Sequence, residues 1–389
     1  MCAKLTRNYL PEFFALGFNP SKPRMVTVNV TSKCNQRCIY CEIGENIPSS
    51  RQGKLSTDDL KWIVDQMELS GIKKISLCGG EPFLLDGIVD VVEYAGKKNI
   101  KSSITSNGMT VYLLSAKDLD ILKTHKCEIN ISIDSFSEEI NAKTRGTASA
   151  LPNALKSIKT LADSGIPVTV LTAISKYNFH DLYKSFVLAR DFGVKQVLYQ
   201  PLIYYSNYPD RNTIDEKSKL NVGIENLDLL MNELNKILKF ERTHDIKTNV
   251  YRIIPWIETY LKTAAGKNGR WFFEEVIPRF YCREIFAIID ISYDGGIQPC
   301  GLALAETDIY KNREKGLAAL WMEATAAIKE DMSNGRYRDY CNGCCHHFSR
   351  NMLASLIKYP WQNRAALSQM LPRLISRYGN TLYKKTFIK

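Results

Sequence analysis

The chain has 389 residues, 45% hydrophobic and 24% charged, and 52 Lys and Arg against 41 Asp and Glu give it a formal charge of +11. That much apolar surface excludes disorder as the main state, and the length points to two or three domains, or to one barrel with an appendage. No apolar run approaches the ~18 residues of a membrane-spanning helix, and residues 1–10 join no apolar stretch to a small-residue cleavage site, which argues for a cytoplasmic protein rather than a secreted one.

From residue 25 onward, short β-branched runs alternate with amphipathic segments. Strands are expected over 25–31, 74–78, 101–105, 128–133, 168–173 and 196–200. Helices are expected over 57–70, 87–98, 116–124, 150–164, 181–192 and 224–238, with Ser56 and Ser115 as N-caps. Six such βα units imply an α/β fold in which a parallel sheet curls into a partial (β/α)6 barrel of the TIM type, with chemistry in the loops after the strands. Residues 203–281 are rich in aromatics, Trp256 and Trp271 among them, and packing is their default role. Asp294-Gly-Gly296 reads as a hairpin turn between strands over 286–292 and 297–299, and a helix is expected over 316–331. The domain boundaries that follow are an extension over 1–24, the barrel over 25–241, a bridging segment over 242–281, a second unit over 282–345 and a tail over 346–389.

The eleven cysteines are unevenly spread. Cys34, Cys38 and Cys41 form one group, and Cys282, Cys300, Cys341, Cys344 and Cys345 another, while Cys2, Cys78 and Cys127 stand apart as packed thiols. An odd count without a secretion signal favours reduced thiolates over disulfides. The second group taken alone could be read as a zinc site. The first offers three thiolates and no nearby His, and three ligands on a four-iron cluster leave one iron open to bind something else.

Cys34-Asn-Gln-Arg-Cys38-Ile-Tyr-Cys41 resembles the signature of radical S-adenosylmethionine (SAM) enzymes. The resemblance implies that these cysteines hold a [4Fe–4S] cluster whose open iron is chelated by SAM, and that one electron from it releases a 5′-deoxyadenosyl radical able to abstract hydrogen from a substrate. It also implies cofactor contacts on the barrel rim. Gly79, Gly80, Glu81 and Pro82 resemble the family's GGEP loop for the cofactor's amino group. Tyr40 would lie near the adenine, and Asn107 and Ser132 would meet the ribose or carboxylate, with Asp134 a weaker candidate. Arg145 would pair with the carboxylate, as planar guanidinium donors suit. For each of these the ordinary alternative is a loop polar group, a packed aromatic or a surface arginine.

A Cys, a Gly-bearing hairpin, a Cys, a helix and then Cys341-Asn-Gly-Cys344 resemble the short auxiliary-cluster fold called a twitch domain, related to the longer SPASM domain. The resemblance implies one auxiliary [4Fe–4S] cluster on Cys282, Cys300, Cys341 and Cys344. Too few cysteines follow for another, and Cys345 is left over. Four thiolates saturate a cluster, so electron transfer is its simpler job. His346 and His347 leave substrate ligation open.

Residues 350–389 carry eight Lys and Arg and no Asp or Glu, interleaved with apolar and aromatic residues at helical spacing. This basic helical tail either packs on the barrel or makes peripheral contact with an anionic membrane at its inner surface. Nothing in it points to specific nucleic-acid binding. The resemblance leads to a net oxidation of a sugar-like or other small molecule, with an electron donor such as a flavodoxin or ferredoxin. The rivals are maturation of a ribosomal peptide, disfavoured by the short segment before the first strand, and modification of a lipid headgroup or lipid-linked sugar. A non-enzymatic iron–sulfur or zinc carrier is the reading from another class.

Overall fold

A computed structural model of the chain describes residues 23–41, 43, 53–202, 219–254, 257–264, 281–282, 284–301, 303–338, 341, 355 and 359–364. Strands β1 (Met25–Thr31), β2 (Lys74–Gly79), β3 (Lys101–Ser106), β4 (Glu128–Ser132), β5 (Val168–Ile174) and β6 (Gln196–Pro201) pair in parallel, each with the next. Between and after them run α1 (Thr57–Ser70), α2 (Ile88–Lys97), α3 (Ala116–Thr124), α4 (Glu138–Arg145), α5 (Ala150–Asp163), α6 (Leu182–Asp191) and α7 (Leu227–Glu241). Ser56 and Ser115 each cap a helix with a reciprocal capping box, as the sequence predicts.

The alternation of side chains along each strand divides the molecule. Val26, Val28, Ile75, Leu77, Ile129 and Ile131 face the helices and are fully buried. The other face is the concave interior of a partial barrel. Among the described residues the sheet does not close: four further strands, β7 (Lys247–Thr248), β8 (Ile288–Ile291), β9 (Gly296–Gln298) and β10 (Thr307–Asp308), give the order β10-β9-β8-β1-β2-β3-β4-β5-β6-β7.

Two features go beyond the sequence expectation. The hairpin of β8 (Ile288–Ile291) and β9 (Gly296–Gln298) joins the barrel sheet, because β8 pairs in parallel with β1. This covers the backbone groups that β1 would otherwise present as an open edge, and β10 (Thr307–Asp308) extends the sheet once more. After β7, α8 (Ile257–Ala264) follows, and later the helix expected over 316–331 appears as α9 (Leu317–Ser333). It roofs the added strands through Trp321, a fully buried side chain whose Nε1 donates to the Ile288 carbonyl at 2.9 Å. The second feature is α4, a helix absent from those the sequence predicts, which ends on Arg145.

Most of the basic tail lies outside the described residues. Of those described, Ser355 and Asn363 are buried, and Ser355 Oγ accepts from the Tyr281 amide at 2.7 Å. Trp361 is 83% exposed. Among the described residues no helix is long and apolar enough to cross a membrane.

Candidate active site

The loop after β1 carries Cys34, Cys38 and Cys41 and is held from two sides. From one, the backbone of α4's last turn clamps it: the amides of Arg37 and Ile39 donate to the carbonyls of Arg145 and Thr144 at 3.2 and 3.0 Å. A Cβ on Gly146 would lie 2.1 Å from the Arg37 carbonyl oxygen, so only glycine allows the approach. From the other, the Gly79–Gly80 turn after β2 presses on residues 31–33, with the Gly80 and Glu81 amides donating to the Thr31 and Lys33 carbonyls. A Cβ on Gly80 would lie 2.0 Å from the Lys33 carbonyl oxygen.

Glu81 is fully buried and joins the loops after β2 and β3. Its carboxylate accepts from the Phe83 amide (3.1 Å), the Ser106 hydroxyl (2.8 Å) and the Asn107 amide (2.7 Å). Pro82 opens the short turn that Glu81 caps, a position where its missing N–H costs nothing. Burial pushes the Glu81 carboxyl up to about 7 despite these donors. The structure thus makes Glu81 a strut of the rim. Asn107 sits between this strut and the cysteines: its Nδ2 donates to Asn35 Oδ1 at 2.7 Å and lies 3.6 Å from Cys34 Sγ.

Arg145 is buried against the same loop. Its Nη1 lies 3.6 Å from Cys38 Sγ, and its Nη2 donates to Asp134 Oδ1 at 3.2 Å. Nε is 3.1 Å from Oδ2 but out of line for a hydrogen bond, a contact of charge only. Asp134 also accepts from the Tyr40 hydroxyl at 2.5 Å and the Ala173 amide at 3.1 Å. The arginine expected to meet a cofactor carboxylate therefore already has a carboxylate from its own chain. Tyr40 is tied to that pair, and burial raises its phenol well above the ordinary range. Ser132 ends β4 on the concave face, beside Leu171 of β5. The sequence carries end signals for α4: Ser137 before it, Glu138 and Glu139 in its first turn, Lys143 and Arg145 in its last, and Gly146 in the left-handed region behind it.

The three thiols feel one another. Burial pushes Cys41 up to about 11, with Cys38 and Cys34 adding to the rise, and burial also raises Cys34. Three buried soft donors, with amide and guanidinium N–H groups directed at two of the sulfurs, suit an iron–sulfur cluster, whose thiolates take such donors. In the second group Cys282 senses the charges of Cys300 and Cys341, and burial raises Cys282 well above the usual thiol range. Cys344, Cys345, His346 and His347 lie outside the described residues. Cys78 and Cys127 are pushed up to about 12 by burial, as packed thiols are.

The two groups occupy opposite ends of the sheet. The first follows the C-terminal end of β1. Cys282 precedes β8, which runs parallel to β1, and Cys300 follows β9, which runs back antiparallel to it. The seven residues of β1 span about 20 Å at ~3.3 Å each, which sets the scale of the separation. Between the ends, the concave face is polar. Strand register places Asn29, Cys78, Thr105, Asn130, Thr169 and Gln196 in one row, one from each of β1 to β6. Adjacent members are bonded: Cys78 Sγ to Asn29 Oδ1 at 3.2 Å, Asn130 Nδ2 to Thr105 Oγ1 at 3.3 Å and Thr169 Oγ1 to Gln196 Oε1 at 3.5 Å. A closed barrel fills this space with branched aliphatic side chains.

Comparison with known proteins bears on the family and the fold. Residues 28–189 match the radical SAM superfamily. The subtilosin biosynthesis protein AlbA of Bacillus subtilis is 30% identical over 179 residues, 46% of this chain and 39% of that protein. A GTP 3′,8-cyclase of Pelotomaculum thermopropionicum is 26% identical over 318 residues, 78% of this chain and 90% of that one. The solved structure of native anSMEcpe with bound AdoMet and Cp18Cys peptide superposes with a TM-score of 0.59 at 15% identity, covering 92% of this chain and 99% of that one, a likeness of fold. The chain spans about half the length of the first curated relatives it matches.

Proposed function

We propose, from the premise that this chain belongs to the radical SAM superfamily, that it is an enzyme carrying out a net oxidation of a polar substrate held in the barrel between two iron–sulfur centres. The observation that carries this reading is the placement of two thiol groups at opposite ends of one sheet, with a hydrogen-bonding concave face between them. Cys34, Cys38 and Cys41 would hold the SAM-binding [4Fe–4S] cluster, and Cys282, Cys300, Cys341 and Cys344 an auxiliary one. When bound, these groups supply a one-electron cleavage of SAM, a hydrogen-abstracting 5′-deoxyadenosyl radical and a second centre able to accept an electron.

The protein's own part is placement. Asn107 and Arg145 direct N–H groups at Cys34 and Cys38, which stabilises negative charge on those sulfurs. The Gly79–Gly80 turn lets the rim backbone approach the cysteine loop closely. Tyr40, anchored on Asp134, has its ring fixed at the rim, where an adenine would stack. A flavodoxin or ferredoxin would deliver the electron.

A sugar-like small molecule fits the polar interior. A peptide side chain is the second reading, supported by the similarity to AlbA, a bacteriocin biosynthesis protein. Anaerobically reconstituted protein given candidate substrates deuterated at single positions tests both. The proposal expects deuterium in 5′-deoxyadenosine with the right candidate, and substrate-independent 5′-deoxyadenosine with none. Failure of the reduced four-iron protein to form 5′-deoxyadenosine at all would leave the carrier reading instead.

A further inference from the structure

The row of the concave face nearer the auxiliary thiols contains Asp290, Thr27, Ser76, Ser103 and Glu128. Two of these are carboxylates. Glu128 is solvated and paired with Lys74 at 3.0 Å. Asp290 is different: it stands in the middle of β8, opposite Thr27 on the concave face and half-buried, and among the described residues no cation pairs with it. What it accepts is the amide N–H of Gly301, the residue after Cys300. Its other neighbour is the thiol of Cys78, the residue before Gly79, which senses its charge. Asp290 therefore sits between the loop of the auxiliary thiols and the strand that leads into the Gly79–Gly80 turn. On the proposed function, that is the stretch between the two centres.

Bonded to one amide and within the electrostatic reach of a second carboxylate, Glu284, Asp290 has no cationic partner among the described residues. Burial and Glu284 together push it up to about 7, as they do for a carboxyl without a counter-ion. Ser103 Oγ donates to the Ile75 carbonyl at 3.4 Å. Among the described residues Asp290 is the carboxylate of this face with no cation against it.

We propose that Asp290 is the anchor of a substrate-binding subsite inside the barrel, and that it takes a protonated amine or guanidinium of the substrate. The inference rests on the proposed function and narrows its substrate class: an amino-bearing sugar-like molecule or a basic peptide side chain fits, and an uncharged or anionic group at this point does not. The paired charge would fix the substrate's height between the centres, so the reacting C–H is presented at the rim.

The test is binding to the SAM-loaded holoenzyme with both clusters assembled. The probes are Nα-acetyl-lysinamide and its Nε-acetyl counterpart, which differ in charge at one nitrogen. Calorimetry should show the amine binding about tenfold or more tightly than the neutral twin, as expected of a charge pair in a partly desolvated site. Asp290→Asn should bring the ratio to about one, while Asp290→Glu keeps a preference, each variant's melting curve confirming the fold. Equal binding of the two probes by the wild type, absence of binding by either, or a preference that survives in Asp290→Asn would overturn the proposal. Formation of 5′-deoxyadenosine without probe is recorded in parallel. If it appears while discrimination fails, the subsite is wrong and the proposed function stands; if it is absent, the proposed function itself has failed.

Discussion

Replacing Asp134 by Asn tests how the first cysteine loop is held. The side chain is fully buried, and around its carboxylate lie Arg145 Nη2 at 3.2 Å, Arg145 Nε at 3.1 Å, the Tyr40 hydroxyl at 2.5 Å and the Ala173 amide at 3.1 Å. Breaking a buried ion pair by removing one partner costs about 3–5 kcal/mol, because the remaining charge stays desolvated. Asparagine keeps an oxygen for the Ala173 amide, so the lower end, about 3 kcal/mol, is expected for this variant. At about 2 °C per kcal/mol for a chain of this size, the melting midpoint should fall by roughly 6 °C. Anaerobic melting of wild type, Asp134→Asn, Arg145→Met and the double variant completes a cycle. The double variant should be less damaged than the sum of the singles by about 2 kcal/mol, since the orphaned charge is then gone. A fall of under about 1 °C for Asp134→Asn, or strict additivity, would refute the argument that this pair organises the loop.

Gly80→Ala places a Cβ 2.0 Å from a backbone carbonyl that cannot move aside; anaerobic iron analysis should show about half the wild-type iron, the loss being confined to the first centre. Asn107→Ala removes the donor beside Cys34 Sγ; the midpoint potential of the first cluster, read by EPR redox titration, should become more negative, because a hydrogen bond to sulfur favours the reduced form. Burial pushes the Lys329 ammonium down to about 8 from an ordinary 10.5. The unfolded chain then binds more protons between those values, so stability should rise with pH across that window. Lys329→Gln should flatten that rise in melting midpoints; an unchanged slope would mean the lysine is solvated.

The barrel was legible because its strands and helices repeat two distinct periods and its helices carry their own caps: β1, α1 and α3 begin and end where the sequence places them. The helix α4 was not, since its eight residues carry little apolar periodicity, although its end signals were all present. The cysteine groups were legible from spacing alone. Their geometry was not: that Glu81 ties two loops together, that Arg145 is matched by Asp134, and that β8 docks on β1 are long-range pairings with no local signature. Asp290 has no local signature either. In sequence it is one acid in a short strand, and its position inside the barrel exists only once β8 lies beside β1.

The account depends on the first centre having an iron that no thiolate of the chain occupies. EPR of the reduced four-iron centre, recorded while SAM is titrated in, addresses this directly. The account predicts a change in the g-values that saturates with SAM and is lost with Cys34→Ala, accompanied by 5′-deoxyadenosine. A spectrum from an intact cluster that stays unmoved at saturating SAM, with no 5′-deoxyadenosine formed, would contradict it.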